Sequence, residues 1–359
     1  MNTSCSMSPC SKVGRMIFSS SSAYMVEKVL GTGAFGEVSQ CLNLTTFKRV
    51  ALKQTRRSTY NERAEREVQI LKTLQQSNSH RYNIVRWHEA FVWEGCYCLE
   101  FEKLDVNLLE YLRRSKSGSL KLQEIRPILQ QLATALQFLQ SLKIVHADLK
   151  PENIMMVDKM CKPPRVKLID FGLAIPISEV HAGKKIQTLW YRAPEILQGA
   201  AFNETIDIWS LGCIAVELFL GKRLFAASDE HDMVNQISHI LKQHSWISSK
   251  QSQQRVPSMA RLESHAINDL NDLLLRVPRN HHAGDEMWAE LKDRMRFVEL
   301  IEKMLEIDPS HRITPTEILQ DPFLTMNHLV FPFDHTAYYR ACIEQMDFSK
   351  TQQKENKLG

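Results

Sequence analysis

The residues His146-Ala147-Asp148-Leu149-Lys150-Pro151-Glu152-Asn153, followed after the strand-like stretch 166–170 by Asp170-Phe171-Gly172, carry the chemistry of this chain. They set out one carboxylate fit for base catalysis, one lysine and two oxygen donors, Asn153 and Asp170, in fixed order. Phosphoryl transfer from a nucleotide needs such parts: a base that orients the acceptor, a cation on the migrating phosphate, and hard oxygen ligands for Mg²⁺. An Asp-Phe-Gly alone is more often an ordinary turn. The octapeptide in this order is not.

Two further groups belong with them. Gly31-Thr32-Gly33-Ala34-Phe35-Gly36-Glu37-Val38 follows one strand-like run and precedes another. Gly31, Gly33 and Gly36 let backbone N–H groups approach phosphates, and a strand rather than a helix afterwards argues against a dinucleotide fold. Lys53 ends Val50-Ala51-Leu52-Lys53. A lysine among apolar neighbours can simply extend its head to water, so its functional reading needs an acid. The helical stretch 61–74 offers Glu62, Glu65 and Glu67, and Glu67 lies one turn from the core-facing Leu71. Glu67 is therefore the expected partner that holds Lys53 against the α- and β-phosphates.

The elements that must position these residues divide the chain. Strands are expected over 26–30, 37–42, 49–53, 84–92 and 97–101, interrupted by a helix over 61–74 whose Ala64, Val68, Leu71 and Leu74 repeat at three and four. From about Leu104 helical periodicity takes over: 122–142 (with Pro127 limiting where it begins), 205–220, 229–242, 296–305 and 314–319, with short strands at 154–157 and 166–169 flanking the catalytic loop. The expectation is an α+β fold of two lobes: a β-rich N-lobe over 23–102, a helical C-lobe over 103–324, and a ligand cleft between them. Residues 1–22, rich in Ser and Cys, read as a disordered tail, 243–292 as an insert, and 325–359 as an extension with a disordered end.

At 359 residues the chain exceeds one hydrophobic core. A formal charge of +4 with no basic arm excludes a nucleic-acid binder. No apolar run approaches the roughly 18 residues of a membrane span. Eight cysteines without metal spacing, and no secretory signal, imply reduced thiols in a soluble intracellular protein, and a monomer is expected. The basic clusters 53–57 and 113–116 read as solvated faces rather than nuclear signals.

Glycine loop, Val-Ala-Leu-Lys, helix glutamate, His-Ala-Asp-Leu-Lys-Pro-Glu-Asn, Asp-Phe-Gly and Ala193-Pro194-Glu195, in this order, resemble the eukaryotic protein kinase signature set from about Tyr24 to Phe323. The resemblance implies the two-lobed kinase fold, with ATP and Mg²⁺. It makes Asp148 the residue that orients the acceptor hydroxyl, Lys150 the cation on the γ-phosphate, and Asn153 and Asp170 the metal ligands. Glu195 would pair with Arg312, and Asp207 would brace the catalytic loop. Phe101 would stand behind adenine, with Glu102 and Leu104 offering backbone groups. Val38, Ala51 and Met155 are equally readable as adenine walls or as plain core.

His-Ala-Asp-Leu-Lys-Pro-Glu-Asn-Ile-Met, Ile125–Gln131 and Tyr191–Ile196 are similar to the homeodomain-interacting protein kinases of the CMGC group, close to the dual-specificity Tyr-regulated kinases. That resemblance implies Ser/Thr substrates, with tyrosine also open, transcription-related partners, and a nuclear or cytoplasmic location. Those kinases typically carry long C-terminal partner regions, so these partner functions are not expected to transfer to a chain ending at Gly359.

Two departures bear on regulation. Ala147 stands where many kinases have an arginine that pairs with an activation-loop phosphate, a contact worth roughly 1.5–3 kcal/mol. In 185–191, Lys185 replaces the group's usual tyrosine and Leu189 the arginine that follows it, while Thr188 keeps the place typical of Ser/Thr kinases. The expectation is a segment held by packing of Leu189, Trp190 and Tyr191, active without tyrosine phosphorylation, and with weakened proline direction. Two alternatives stand beside an active kinase. A catalytically weak kinase-fold scaffold finds no support in the complete catalytic set. A small-molecule phosphotransferase would not be expected to carry Ala193-Pro194-Glu195 or the Asp207 helix.

Overall fold

The computed structural model describes residues 13–33, 36–55, 61–115, 117–242, 267–275 and 284–346. Ala34 and Phe35 of the glycine loop, residues 1–12 of the expected tail, parts of both basic clusters, most of the expected insert and the chain's last residues lie outside them. The chain divides into two compact units, one of residues up to His80 plus Val85–Leu104, the other of Arg81–Ile84 plus the chain from Asp105 on.

The first unit is an antiparallel sheet in the order β1-β2-β3-β4-β6-β5, from β1 (Met16–Phe18), β2 (Ala23–Gly33), β3 (Gly36–Asn43), β4 (Lys48–Thr55), β5 (Trp87–Trp93) and β6 (Cys96–Glu102), with α1 (Asn61–Gln76) beside β5 and β6. Alternation sorts the side chains between two faces. Cys41, Val50 and Leu52 join Ile17, Tyr24, Val26 and Cys98 in a buried cluster. Val38 opposite Lys53, and Ala51 opposite Phe101, fall on the other face and are half-buried.

β1 corrects the expected tail, whose boundary at 22 lies too far along the chain. Ile17 is buried in the sheet's core cluster, and the serines that suggested disorder instead make the β1–β2 turn. The Ser19 hydroxyl accepts the Ser22 N–H at 3.0 Å and donates to Glu89 at 2.9 Å. Serine supplies turn chemistry as readily as it signals disorder.

In the second unit, α3 (Leu122–Ser141) and α5 (Thr205–Leu220) run through the core, with α2 (Leu108–Arg114), α4 (Pro194–Leu197), α6 (Glu230–Ile240), α7 (Asp285–Met304), α8 (Pro315–Gln320), α9 (Pro322–Thr325) and α10 (Asn327–Val330) around them. Small sheets pair β7 (Ile144–Val145) with β10 (Ile175–Pro176) and β8 (Ile154–Met156) with β9 (Val166–Leu168). α3 starts at the expected residue 122, where the Glu124 carboxylate accepts the Lys121 N–H at 3.0 Å, and Pro127 lies inside it. α7, by contrast, starts well before the expected 296, inside the stretch read as insert.

Residues 326–346 pack on α7 through Ala289, Met326, Leu329, Phe333, Cys342 and Met346. The polar anchor there is Asp293, which binds Arg126 of α3, His328 at 3.0 Å and the Tyr338 hydroxyl at 2.6 Å. Burial pushes the Asp293 pKa up, but the Arg126 charge and these hydrogen bonds outweigh it and leave the carboxyl below the usual aspartate range. A depressed folded pKa gives stability that is complete above the unfolded value of about 3.9 and lost as pH falls through the folded one. Thermal melts from pH 6 to pH 3 should therefore show a falling midpoint whose acid limb is shallower in Asp293→Asn. An equal slope in both would remove Asp293 from the account.

Candidate active site

The loop 146–153 is held by Asp207 in the first turn of α5. Its carboxylate accepts the His146 N–H at 2.7 Å and the Ala147 N–H at 3.0 Å, fixing two successive peptide groups. Burial raises the Asp207 pKa, while His146 and the two N–H groups act in the opposite direction. The His146 ring accepts the Asp148 N–H on Nδ1 at 3.3 Å, so Nε2 carries the proton donated to the Ile169 carbonyl at 3.0 Å. That bond ties the loop to the end of β9, and so does the Ile169 N–H on the Asn153 carbonyl at 2.9 Å. Asp170 follows directly, half-buried and left-handed at φ 60°, with its carboxylate accepting the Gly172 N–H at 3.3 Å.

Asp148 is 7% exposed and its two oxygens have different partners. Oδ1 accepts the Thr188 hydroxyl at 2.8 Å, whereas Oδ2 accepts Lys150 Nζ at 2.7 Å and Asn153 Nδ2 at 3.1 Å. Lys150 also donates to the Thr188 oxygen at 3.1 Å. Asn153 Nδ2 further donates to the Asp148 carbonyl at 2.8 Å, which fixes the amide orientation and leaves Oδ1 as its oxygen donor. Asn153 Oδ1 and the Asp170 carboxylate are hard oxygen donors of the kind Mg²⁺ takes.

In the first unit Lys53 Nζ meets both Glu67 oxygens, at 2.7 and 2.8 Å, while Glu62 and Glu65 lie on the exposed face of α1. A methyl group added at Gly31 or Gly33 would meet nothing within 4 Å, but at Gly36 it would come within 2.1 Å of the Gln54 carbonyl. Gly36 thus permits the β3–β4 approach as well as the loop. Glu102 donates its N–H to the Arg86 carbonyl at 3.0 Å, so that group is engaged within the sheet. Leu104 is buried, and in the second unit Met155 is half-buried between the buried Ile154 and Met156.

Arg312 grips Glu195 with two nitrogens, at 2.7 and 3.0 Å, in a pair almost without exposure. The activation segment differs from its expected packing. Tyr191 is buried with its hydroxyl on Glu217 at 2.6 Å, but Leu189 and Trp190 are only half-buried. The segment is held instead by Gln187, left-handed at φ 64° and buried. Its N–H donates to the Ala147 carbonyl at 3.1 Å, and its amide binds the Ile206 carbonyl, the Ser210 hydroxyl and the Ala193 N–H. Arg192 joins the Gln187 carbonyl at 2.9 Å to Glu230 at 2.8 Å, and Lys185 reaches the same Glu230 oxygen at 3.3 Å. The motif reading gave no role to Gln187 or Glu230, because nothing in their neighbourhoods in sequence marks either as a tether.

Comparison with protein-family models matches residues 24–324 to the protein kinase domain. The chain belongs to the protein kinase family. This kinase domain is 38% identical over 363 residues to homeodomain-interacting protein kinase 1 of Mus musculus, covering 93% of this chain and 30% of the relative. Homeodomain-interacting protein kinase 2 of Mus musculus matches at the same identity, with the same coverage of each chain. Homeodomain-interacting protein kinase 4 of Homo sapiens is 33% identical over 369 residues, covering 93% of this chain and 60% of that protein. The chain therefore spans about a third of the length of the first two relatives and somewhat under two-thirds of the third.

Proposed function

We propose that this kinase domain transfers the γ-phosphoryl group of ATP to Ser and Thr hydroxyls of protein substrates. The observation that carries this reading is the Thr188 hydroxyl hydrogen-bonded to Asp148 Oδ1 beside Lys150. A small aliphatic hydroxyl already sits where an acceptor must be oriented and deprotonated. Asp148 orients the acceptor and takes its proton, and Lys150 neutralises charge on the migrating phosphoryl. Lys53, fixed by Glu67, holds the α- and β-phosphates under the Gly31–Gly36 turn. Mg²⁺ held by Asn153 Oδ1 and Asp170 would neutralise phosphate oxygens. Val38, Ala51 and Phe101 present a half-buried face to adenine, Leu104 offers backbone groups, and Met155 adds an apolar contact.

Transfer from radiolabelled ATP to a generic basic protein, with Mg²⁺ present, tests the reading. Phosphoamino-acid analysis of the product separates Ser/Thr from tyrosine. Signal no greater than that of Asp148→Ala would favour the scaffold. By family resemblance the substrates include transcription-related proteins in the nucleus or cytoplasm.

The same reading extends to regulation: the activation segment works without tyrosine phosphorylation. Glu230 supplies a carboxylate to Arg192 and Lys185, a permanent anion requiring no upstream enzyme. The pair is partly exposed and contributes on the order of 1 kcal/mol. Glu230→Gln should thus lower kcat/KM about fivefold. Mass spectrometry of active wild-type protein should find no phosphate at 173–192 that tracks activity; a phosphosite there that does would sink the idea.

A further inference from the structure

α1 brings Glu67 to Lys53, yet the part of the helix before Glu67 gains little from apolar burial. Of residues 62–66 only Ala64 is buried, whereas Val68, Ile70, Leu71 and Leu74 seat the rest of the helix. One methyl group removes little apolar surface from water. A polar contact on the first turns of α1 therefore counts for more than it would on a well-seated helix.

Tyr97 makes such a contact. Lys53 of β4 pairs with Leu99 of β6, and Ala51 pairs with Phe101. Alternation puts Tyr97 on the same face of β6 as Leu99 and Phe101, the face that Lys53 shares. The Tyr97 hydroxyl donates to Glu65 Oε1 at 2.7 Å, two residues along α1 from Glu67. That bond raises the Tyr97 pKa, so the phenol keeps its proton and remains the donor.

The tyrosine is itself held from the Lys53 strand. Its backbone N–H donates to the Thr55 hydroxyl at 3.0 Å, just beyond Gln54 and Cys98, the last pair of the β4–β6 ladder. Thr55 is buried and lies two residues after Lys53. The β4–β6 pair thus reaches α1 twice within two residues, through Lys53 on Glu67 and through Tyr97 on Glu65. Residues two apart in a helix point about 200° away from each other. The two contacts grip nearly opposite flanks of α1 and resist rotation about its axis, a motion that one ion pair alone permits.

We propose that Tyr97 is a positioning residue for phosphoryl transfer, fixing the rotation of α1 through Glu65 and so keeping Glu67 on Lys53. The proposal rests on the protein kinase reading.

The test is steady-state kinetics of Tyr97→Phe, which removes one hydroxyl, with melting midpoints as the folding control. KM for ATP should rise about fivefold, as loss of one surface hydrogen bond to a carboxylate allows, while KM for the protein substrate stays the same. Glu65→Ala should reproduce the effect, and Glu65→Gln, which keeps an acceptor oxygen, should retain wild-type behaviour. Tyr97→Phe with Glu65→Ala should be no worse than either alone. The deciding background is Glu67→Ala, where the ion pair is already lost and Tyr97→Phe should change nothing further. An equal loss in that background would make the tyrosine a support of the sheet in general and overturn the proposal, as would an unchanged KM for ATP in Tyr97→Phe. Amide hydrogen exchange reads the tether without any transfer: residues 62–67 should exchange about fivefold faster in Tyr97→Phe. Faster exchange in a protein whose wild type transfers no phosphate would sink the kinase reading and leave the tether standing, whereas equal exchange would sink the tether alone.

Discussion

Asp148→Asn should lower kcat by about a thousandfold with little change in KM for ATP, because a positioned general base contributes roughly 10²–10⁴. The substitution preserves volume, so the loop should keep its shape: Asp207 and His146 hold the backbone of residues 146–148 independently of the Asp148 side chain. What disappears is the proton acceptor and the negative charge that orders Lys150 and Thr188. Lys53→Met should give a loss of similar size by a different route, since it leaves the buried Glu67 carboxylate without its cation and the α- and β-phosphates without an anchor. The kinetic signatures therefore differ: Lys53→Met should raise KM for ATP as well as lowering kcat. Single-turnover assays with melting curves as folding controls check both. If Asp148→Asn retained a tenth of wild-type kcat, Asp148 would not be the base.

Much of this site was legible because its residues fall in local runs. The glycine turn, the lysine ending an alternating strand and the loop octapeptide each carry their meaning within a few positions, and the periodicity of α1 singles out Glu67 among three glutamates. Gln187 carries no such mark. Its amide acts only because the Ile206 carbonyl, Ser210 and Ala193 converge on it after folding. A buried polar side chain satisfied by distant partners leaves no periodic trace.

Glu230 escaped notice for a related reason. It begins α6 as an ordinary acidic first-turn residue, and its tie to Arg192 depends on where α6 lies beside the activation segment. The fold was misjudged where one composition serves two ends. Serines at 19–22 build a turn instead of a tail. The charge run at 113–116 was read as a solvated face, and Arg113 and Arg114 are indeed exposed.

The largest loss of stability should follow from separating Arg312 from Glu195. Both side chains are essentially without solvent contact, and Arg312 also donates to the carbonyls of Thr205 at 3.0 Å, Glu306 at 2.9 Å and Ile307 at 3.3 Å. Arg312→Met thus strands a buried carboxylate and three carbonyl oxygens at once, a defect that costs about 3–5 kcal/mol. For a domain of this size that corresponds to roughly 10 °C in Tm. Glu195→Leu alone strands the guanidinium charge but leaves its carbonyl bonds, so it should cost less. The two together remove both charges, and a double-mutant cycle should therefore show recovery relative to the sum of the singles. Strict additivity would mean that the pair contributes no specific attraction. The consequence reaches catalysis through α4, which carries Glu195, and through Ala193, whose N–H binds the Gln187 amide. At temperatures well below its melting midpoint, Arg312→Met should still lose kcat, because Gln187 positions the Ala147 carbonyl next to the base.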